Sequence, residues 1–325
     1  MNFKKTTAIL MAGAITLMSN INILPQTMLN TASITANAAE IVKSGKCGEN
    51  VTWTLDSNNT LTISGEGKMD DSIFYNDEGI ITHPWGYLSE HYNLVIEEGI
   101  THIANYAFIF DKITSISPLP ETLTSIGESA FAWVNGFDSI LIPENVASID
   151  ATAFQDCGIS TINVDSNNKT YSSENGVLFN KDKTSILCFP TRNTIKDYII
   201  PNTVITIEDS CFWSCENLST LTIPESVKYI KDTGIEFNAN LNKIAVKENN
   251  AEYLSKIGIL FNKDETELIV YPAQLIAKEY RIPDSVTTIN STAFSYSAYL
   301  ITIHIPNSVA DIKKVPLNFQ TAYCH

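Results

Sequence analysis

Residues 282–294 read IPDSVTTINSTAF, and six other stretches of the chain repeat that phrase with substitutions. They are IEEGITHIANYAF (96–108), LPETLTSIGESAF (119–131), IPENVASIDATAF (142–154), IPNTVITIEDSCF (200–212), IPESVKYIKDTGI (223–235) and a worn IPNSVADIKKVPL (305–317). Each copy keeps an apolar first residue, an apolar fifth, Ile at the eighth, and a small-then-bulky pair at its end. The starts at 96, 119 and 142 lie 23 residues apart, as do those at 200 and 223 and at 282 and 305. A fixed period in the twenties marks a solenoid. One such unit cannot bury its own apolar face, so each copy needs a like neighbour.

Ahead of most copies runs a second element: FDSILI (137–142), ISTINV (159–164), LSTLTI (218–223), LNKIAV (241–246) and LITIHI (300–305). Its last three residues alternate in, out, in, the period of a half-buried strand. Pro143, Pro201, Pro224, Pro283 and Pro306 follow, where a residue without an N–H donor suits a strand margin. The strands are expected to stack as one parallel sheet of about nine rungs, with about 4.8 Å between neighbours. Phe108, Phe131, Phe154, Phe212 and Phe294 should stack inside, as should Ile103, Ile126, Ile149, Ile207 and Ile289. The outward residue of each strand is then Leu141, Asn163, Ile199, Thr222, Ala245, Arg281 or His304, and this row is the candidate binding face.

Two longer units break the rhythm, at about 143–200 and 224–282. Their extra pieces match: NKTYSSENGVLFNKDKTSILCFP (168–190) against NAEYLSKIGILFNKDETELIVYP (250–272). Asn-Lys-Asp between apolar runs predicts a hairpin or tight turn. Asp165, Asn167 and Asp182 could be read as calcium ligands, but their spacing is not that of an EF-hand, and turn chemistry is the better reading. Residues 39–92 do not repeat. VTWTLDSNNTLTISGEG (51–67) alternates on both sides of Asp-Ser-Asn-Asn, which predicts a hairpin, placed to cap the first unit of the solenoid over 93–325.

Residues 1–38 stand apart. Lys4 and Lys5 precede the apolar stretch Ala8–Met18, and Ala36-Asn37-Ala38 forms a cleavage motif, the layout of a secretory signal peptide. Eleven apolar residues are too few to span a bilayer as a helix, which needs roughly 20. No transmembrane segment is expected after cleavage. Without those two lysines the chain carries 19 basic against 36 acidic residues. Such a surface repels nucleic acid and anionic lipid. Arg192 and Arg281 are the only arginines, so no guanidinium cluster exists for phosphate or sulfated sugar. Of six cysteines, Cys157, Cys188, Cys211 and Cys215 fill slots that hold other residues in sister units. Buried filler is the reading for them, with Cys211 and Cys215 close enough for a local bridge.

The LxxLxIPxxVxxIxxxAF unit, the Gly-Val-Leu-Phe-Asn-Lys-Asp insert, the opening CGENVTWTLDSNNTLTISGEGKM and the HPW at 83–85 together resemble the BspA-type leucine-rich repeats of bacterial secreted and surface proteins. The resemblance covers about 47–325. It implies an α/β-type but β-rich repeat solenoid, right-handed, with a parallel concave sheet. Some relatives are adhesins that bind host extracellular proteins. Gly234-Ile235 and Pro316-Leu317 depart from the Ala-Phe pattern.

Five scattered histidines show no metal spacing, and no Gly-x-Ser-x-Gly elbow or phosphate loop occurs. Glu97-Glu98 reads as a solvated turn rather than a glycosidase pair. The expectation is a non-enzyme without a cofactor or metal. It would be a secreted or surface-associated monomer that binds an extracellular protein or glycan, an adhesin being one form. A structural spacer, or a part of a larger extracellular enzyme, is the alternative.

Overall fold

A computed structural model describes residues 39–74, 80–86, 88 and 90–314. The leader at 1–38 and the Pro316-Leu317 departure lie outside the described residues. Among these residues the chain is a β-rich solenoid of stacked coils with one helix, Asp71–Phe74, of four residues. The α component expected of the coils is therefore replaced. Each return arc is built of tight turns, with non-glycine residues in the left-handed region at Phe110, Trp133, Asp156, Ser214, Phe237 and Tyr296. Bulky side chains avoid that region. Here rung-to-rung hydrogen bonds hold it: the Phe110 N–H donates to Ala132 O at 3.0 Å and Trp133 N–H to Gln155 O at 3.0 Å.

A full coil has three hydrogen-bonded sides. The first is the expected strand, as in Ser139–Ile142 paired in parallel with Thr161–Val164. Asp197–Ile199, Thr220–Ile223 and Lys243–Val246 form a second such set, and Glu279–Arg281 with Thr302–His304 a third. The second side was not foreseen. The Ile of the phrase, with its predecessor, forms a two-residue strand in every copy but the first, where Ile100–Ile103 is longer, as in Ser125–Ile126 against Ser148–Ile149 and Thr206–Ile207 against Tyr229–Ile230. The third side is the arc, where a stacked aromatic donates its N–H to the small residue of the next full coil. Phe108 to Ala130 (2.9 Å), Phe131 to Ala153 (2.8 Å) and Phe212 to Gly234 (2.9 Å) follow this rule.

The single sheet expected from the period is divided. Each long unit inserts an antiparallel hairpin, Tyr171–Glu174 with Val177–Asn180 and Tyr253–Lys256 with Ile259–Asn262. A second turn, at the predicted Asn-Lys-Asp, folds Val177–Asn180 onto Ser185–Cys188 and Ile259–Asn262 onto Glu267–Val270. The interior follows the division and separates into three apolar clusters. Val177, Phe179, Ile186 and Phe189 pack into the middle cluster, whereas Leu178, Leu187 and Cys188 pack into the first. Ile259, Phe261 and Leu268 enter the last cluster, and Leu260 the middle one. A strand buried on both faces must be apolar at successive positions, which is why the inserts read VLF, ILCF and ILF.

The aromatic column runs through each cluster. Trp85, Phe108, Phe131 and Phe154 stack with ring centroids 5.3–5.7 Å apart. Phe189 meets Phe212 at 5.4 Å and Tyr271 meets Phe294 at 5.3 Å. Phe189 and Tyr271 thus occupy the phenylalanine slot of two abbreviated coils, and Trp85 heads the first column. Four of the five expected phenylalanines and all five isoleucines are buried, and Phe294 is half-buried near the end of the described chain. Residues 51–67 form the expected hairpin, Val51–Asp56 with Thr60–Gly65. A further strand, Ile41–Lys46, pairs antiparallel on its outer side. Thr60–Gly65 pairs in parallel with Tyr92–Ile96.

Candidate functional site

The seven outward residues fall in cross-strand register in three groups. Leu141 lies opposite Asn163. Ile199, Thr222 and Ala245 are successive partners, and Arg281 lies opposite His304. Leu141 and Ile199 are 49% and 63% exposed, and Asn163 and Arg281 are exposed. Thr222, Ala245 and His304 are half-buried, because neighbouring side chains on closely spaced rungs cover short ones.

The groups do not join into one row. At the first break, Gly176 O in the hairpin turn accepts the Ile162 N–H at 2.9 Å, using the edge on which the next strand would pair. Gly258 O does the same for Ile244 at 2.9 Å. The two basic members share one acid: Glu279 Oε1 lies 2.7 Å from His304 Nε2 and 3.2 Å from an Arg281 guanidinium nitrogen. The face around 279–304 therefore presents a paired cluster rather than free positive charge. Asp197 and Lys243 are exposed beside the middle group, at the two ends of the register Asp197, Thr220, Lys243.

Several polar constellations escaped sequence reasoning. Asn168 and Asn250 are fully buried. Asn168 Nδ2 donates to the Pro143 and Val146 carbonyls at 2.8 and 2.9 Å, while its Oδ1 accepts the N–H groups of Thr170 and Tyr171. Asn250 repeats the pattern on Pro224, Val227, Glu252 and Tyr253. The Tyr171 hydroxyl accepts the Ile149 N–H at 2.7 Å, and that of Tyr253 accepts the Ile230 N–H at 2.9 Å. Each phenol stands where a further strand would have supplied a carbonyl. The matching Asn and Tyr of the two inserts were the available signal.

Ser125 Oγ lies 2.8 Å from His102 Nδ1, and His102 Nε2 lies 3.2 Å from Asp71 Oδ1. The residue types are those of a nucleophilic triad, but Thr124, Gly127 and Glu128 already commit their N–H groups to Thr101 O, Ile103 O and Asn105 Oδ1. Those donors cannot form an oxyanion hole. Asp71 Oδ1 also accepts the Asn105 N–H at 2.7 Å, so the chain ties the short helix to the solenoid. In the interior, Tyr92 donates its hydroxyl to Asp111 at 2.6 Å, with His83 3.5 Å from the same carboxylate.

The Asp165 carboxylate accepts the Asn167 N–H at 2.8 Å, closing its own turn. Among the described residues no group of three or more His, Cys, Asp or Glu could hold a metal ion. Cys47, Cys157, Cys188, Cys211 and Cys215 are free and buried. Burial pushes the Cys47 and Cys188 thiols up to about 12, so both are protonated and inert.

Six copies of the BspA-type leucine-rich repeat region match the chain, over residues 88–175, 183–263 and 271–319. The chain belongs to this family, and no enzymatic family is indicated. A leucine-rich repeat protein from Eubacterium ventriosum is 26% identical, with a TM-score of 0.42, over 84% of this chain. The chain spans 62% of that protein. A leucine-rich cell surface protein from Faecalibacterium prausnitzii is 19% identical, with a TM-score of 0.51, over 86% of this chain and 97% of that one. It shares the fold. No curated protein matches the sequence. Among the described residues no helix is long and apolar enough to cross a membrane.

Proposed function

We propose that the chain is an exported, surface-exposed recognition protein that binds an extracellular protein or glycan, an adhesin being one form of this role. The observation that carries the reading is the register of the outward strand residues, which sets exposed Leu141 and Ile199 among polar neighbours on hydrogen-bonded rungs. Burying Leu141 and Ile199 against a partner would remove exposed apolar surface from water, which favours association. A preordered face also loses little conformational entropy on binding. The signal-peptide layout of residues 1–38 supports export, and the cell-surface protein of the same fold is consistent with it. In this reading the coil is right-handed, its longer strands line the concave side, and the meander at 41–65 caps the first coil.

The test is binding of the mature chain to arrays of matrix proteins, mucin and glycans. The variant Leu141→Glu/Ile199→Glu should lose at least tenfold in affinity, with Arg281→Glu/His304→Glu weaker in effect. Melting temperatures should stay within a few degrees of the parent. A ligand whose affinity ignores all four changes, yet is lost on altering the exposed hairpin turn at Ile257, would move recognition from the strand face to the inserts.

A further inference from the structure

The two abbreviated coils share a polar device. In three of the ordinary units the residue after the bulky end of the phrase is apolar: Ile109, Ala132 or Trp213. In the two units that precede an insert it is Gln155 or Glu236, both buried; Glu236 makes the second crossing itself, and at the first the next residue, Asp156, makes it. The coil that follows each of them lacks the outer part of its arc. Side chains therefore reach past it to the next full coil. Asp156 accepts hydrogen bonds from Ser214, 58 residues on, and from the Trp133 indole. Glu236 Oε1 accepts the Thr292 hydroxyl at 2.5 Å, 56 residues on. Phe237 meets Tyr296 edge-on across the same gap, with ring centroids 6.1 Å apart.

A cavity of about 220 Å³ lies at the second crossing, lined by Glu236, Glu252, Glu267, Asn290, Thr292 and Lys313. Burial pushes the Glu236 carboxyl up to about 7; the Thr292 hydroxyl opposes the rise, and Asp232 and Asp209 add to it. Lys231 and Lys313 are the cations lining that cavity, and Lys313 is engaged by Glu267 at 2.6 Å. Burial likewise pushes Asp156 up to about 6, with Glu216 adding and Ser214, Arg192 and Trp133 opposing. Cys157 and Cys215 are the other titratable groups facing it, and both thiols stay neutral.

We propose that the two abbreviated coils are proton-operated joints. Below neutrality the uncharged carboxyls of Asp156 and Glu236 hold adjacent stacks together across the gap; above it their ionisation loosens each joint while the stacks keep their folds. Three separate apolar clusters make this division mechanically available. The sign follows from linkage. A carboxyl that holds its proton more tightly when the joint is closed favours opening as pH rises. For Glu236, raising the pH from about 5.5 to 8 should increase the opening equilibrium by roughly ten- to thirtyfold.

Hydrogen exchange of the full chain, corrected for intrinsic rates, reads this directly. Protection at 231–237 and 290–296 should fall by at least about tenfold between those pH values, while 139–149 and 220–223 stay protected. Glu236→Gln should abolish the pH dependence at the second joint and leave that around 156 and 214 intact. Thr292→Val removes a donor that favours the ionised form, so it should move the transition to higher pH. It serves as the arbiter if the glutamine variant folds poorly. Equal pH dependence in parent and Glu236→Gln, or a Thr292→Val transition that stays put or moves down, would overturn the proposal.

Discussion

Asn168 uses one buried amide to hold four backbone groups that no strand reaches. Its side chain can be satisfied so fully only because the insert leaves the chain without a ladder partner at that point. Replacing it by alanine takes the partner from the Val146 carbonyl and from the Thr170 and Tyr171 N–H groups, while the Pro143 carbonyl keeps the Val146 N–H at 3.4 Å; each unsatisfied buried group costs about 1–3 kcal/mol. Asn168→Ala should therefore lower unfolding free energy by about 3 kcal/mol in urea titrations, while the exposed neighbour change Asn167→Ala stays within about 0.5 kcal/mol. Phe212, packed 5.4 Å from Phe189 and 6.0 Å from Tyr198, should cost about 3–5 kcal/mol as Phe212→Ala. At this scale the sequence was legible wherever the repeat recurs. The buried slots of Ile126, Ile207 and Phe131 follow from counting in steps of 23. Asn168 and Glu236 did not follow, because a polar residue in a repeat reads as surface until the partner it meets is known.

Among the elements, the long strands, the hairpin at 51–65 and the Asn-Lys-Asp turns were all readable from alternation and turn chemistry. The short Ser-Ile ladder was not. Two residues carry no measurable period, so its parallel pairing is visible only from the neighbour's coordinates. Nor did periodicity show that Val177–Asn180 divides two interiors, although its unbroken apolar run was the clue. The tyrosines that close the ladder edges test this reading. Tyr171→Phe removes only the acceptor for the Ile149 N–H and should cost about 1 kcal/mol. Tyr253→Phe removes the acceptor for the Ile230 N–H and also a longer bond donated to Lys228 O at 3.4 Å, and should cost at least as much. In each case the amide named should lose protection by about fivefold in exchange measurements, with remote rungs unchanged.

For the whole molecule, the raised carboxyls set an unusual pH response. Asp156 and Glu236 bind protons in the folded chain that the unfolded chain releases, so their stabilisation is complete in acid and is lost as pH rises through about 6 and then about 7. The net charge of −15 at pH 7 pushes in the same direction, through self-repulsion that grows as acids ionise. The melting temperature should be higher at pH 5.5 than at pH 8 by roughly 3–8 °C. Asp156→Asn/Glu236→Gln should flatten most of that slope in a calorimetric series. The row of outward residues was legible as positions but not as a surface. Alternation gave the outward residues, whereas the breaks at Ile162 and Ile244 depend on where each hairpin docks.

The partition strands also change what counts as the module of this protein. Pro201 and Pro283 follow equivalent strand ends and are 82 residues apart, enclosing one plain coil and one long unit. The surface that Ile200 hands to Pro201 is the surface that Ile282 hands to Pro283. Such a chain can lengthen or shorten by whole cassettes, each carrying its own internal wall, without any joint meeting a surface foreign to it. Excising residues 201–282 so that Ile200 runs into Pro283 should give a shorter protein that still unfolds cooperatively. Removing 165–184 alone should not, because the apolar faces of Leu178 and Phe179 would be lost to both neighbouring interiors at once.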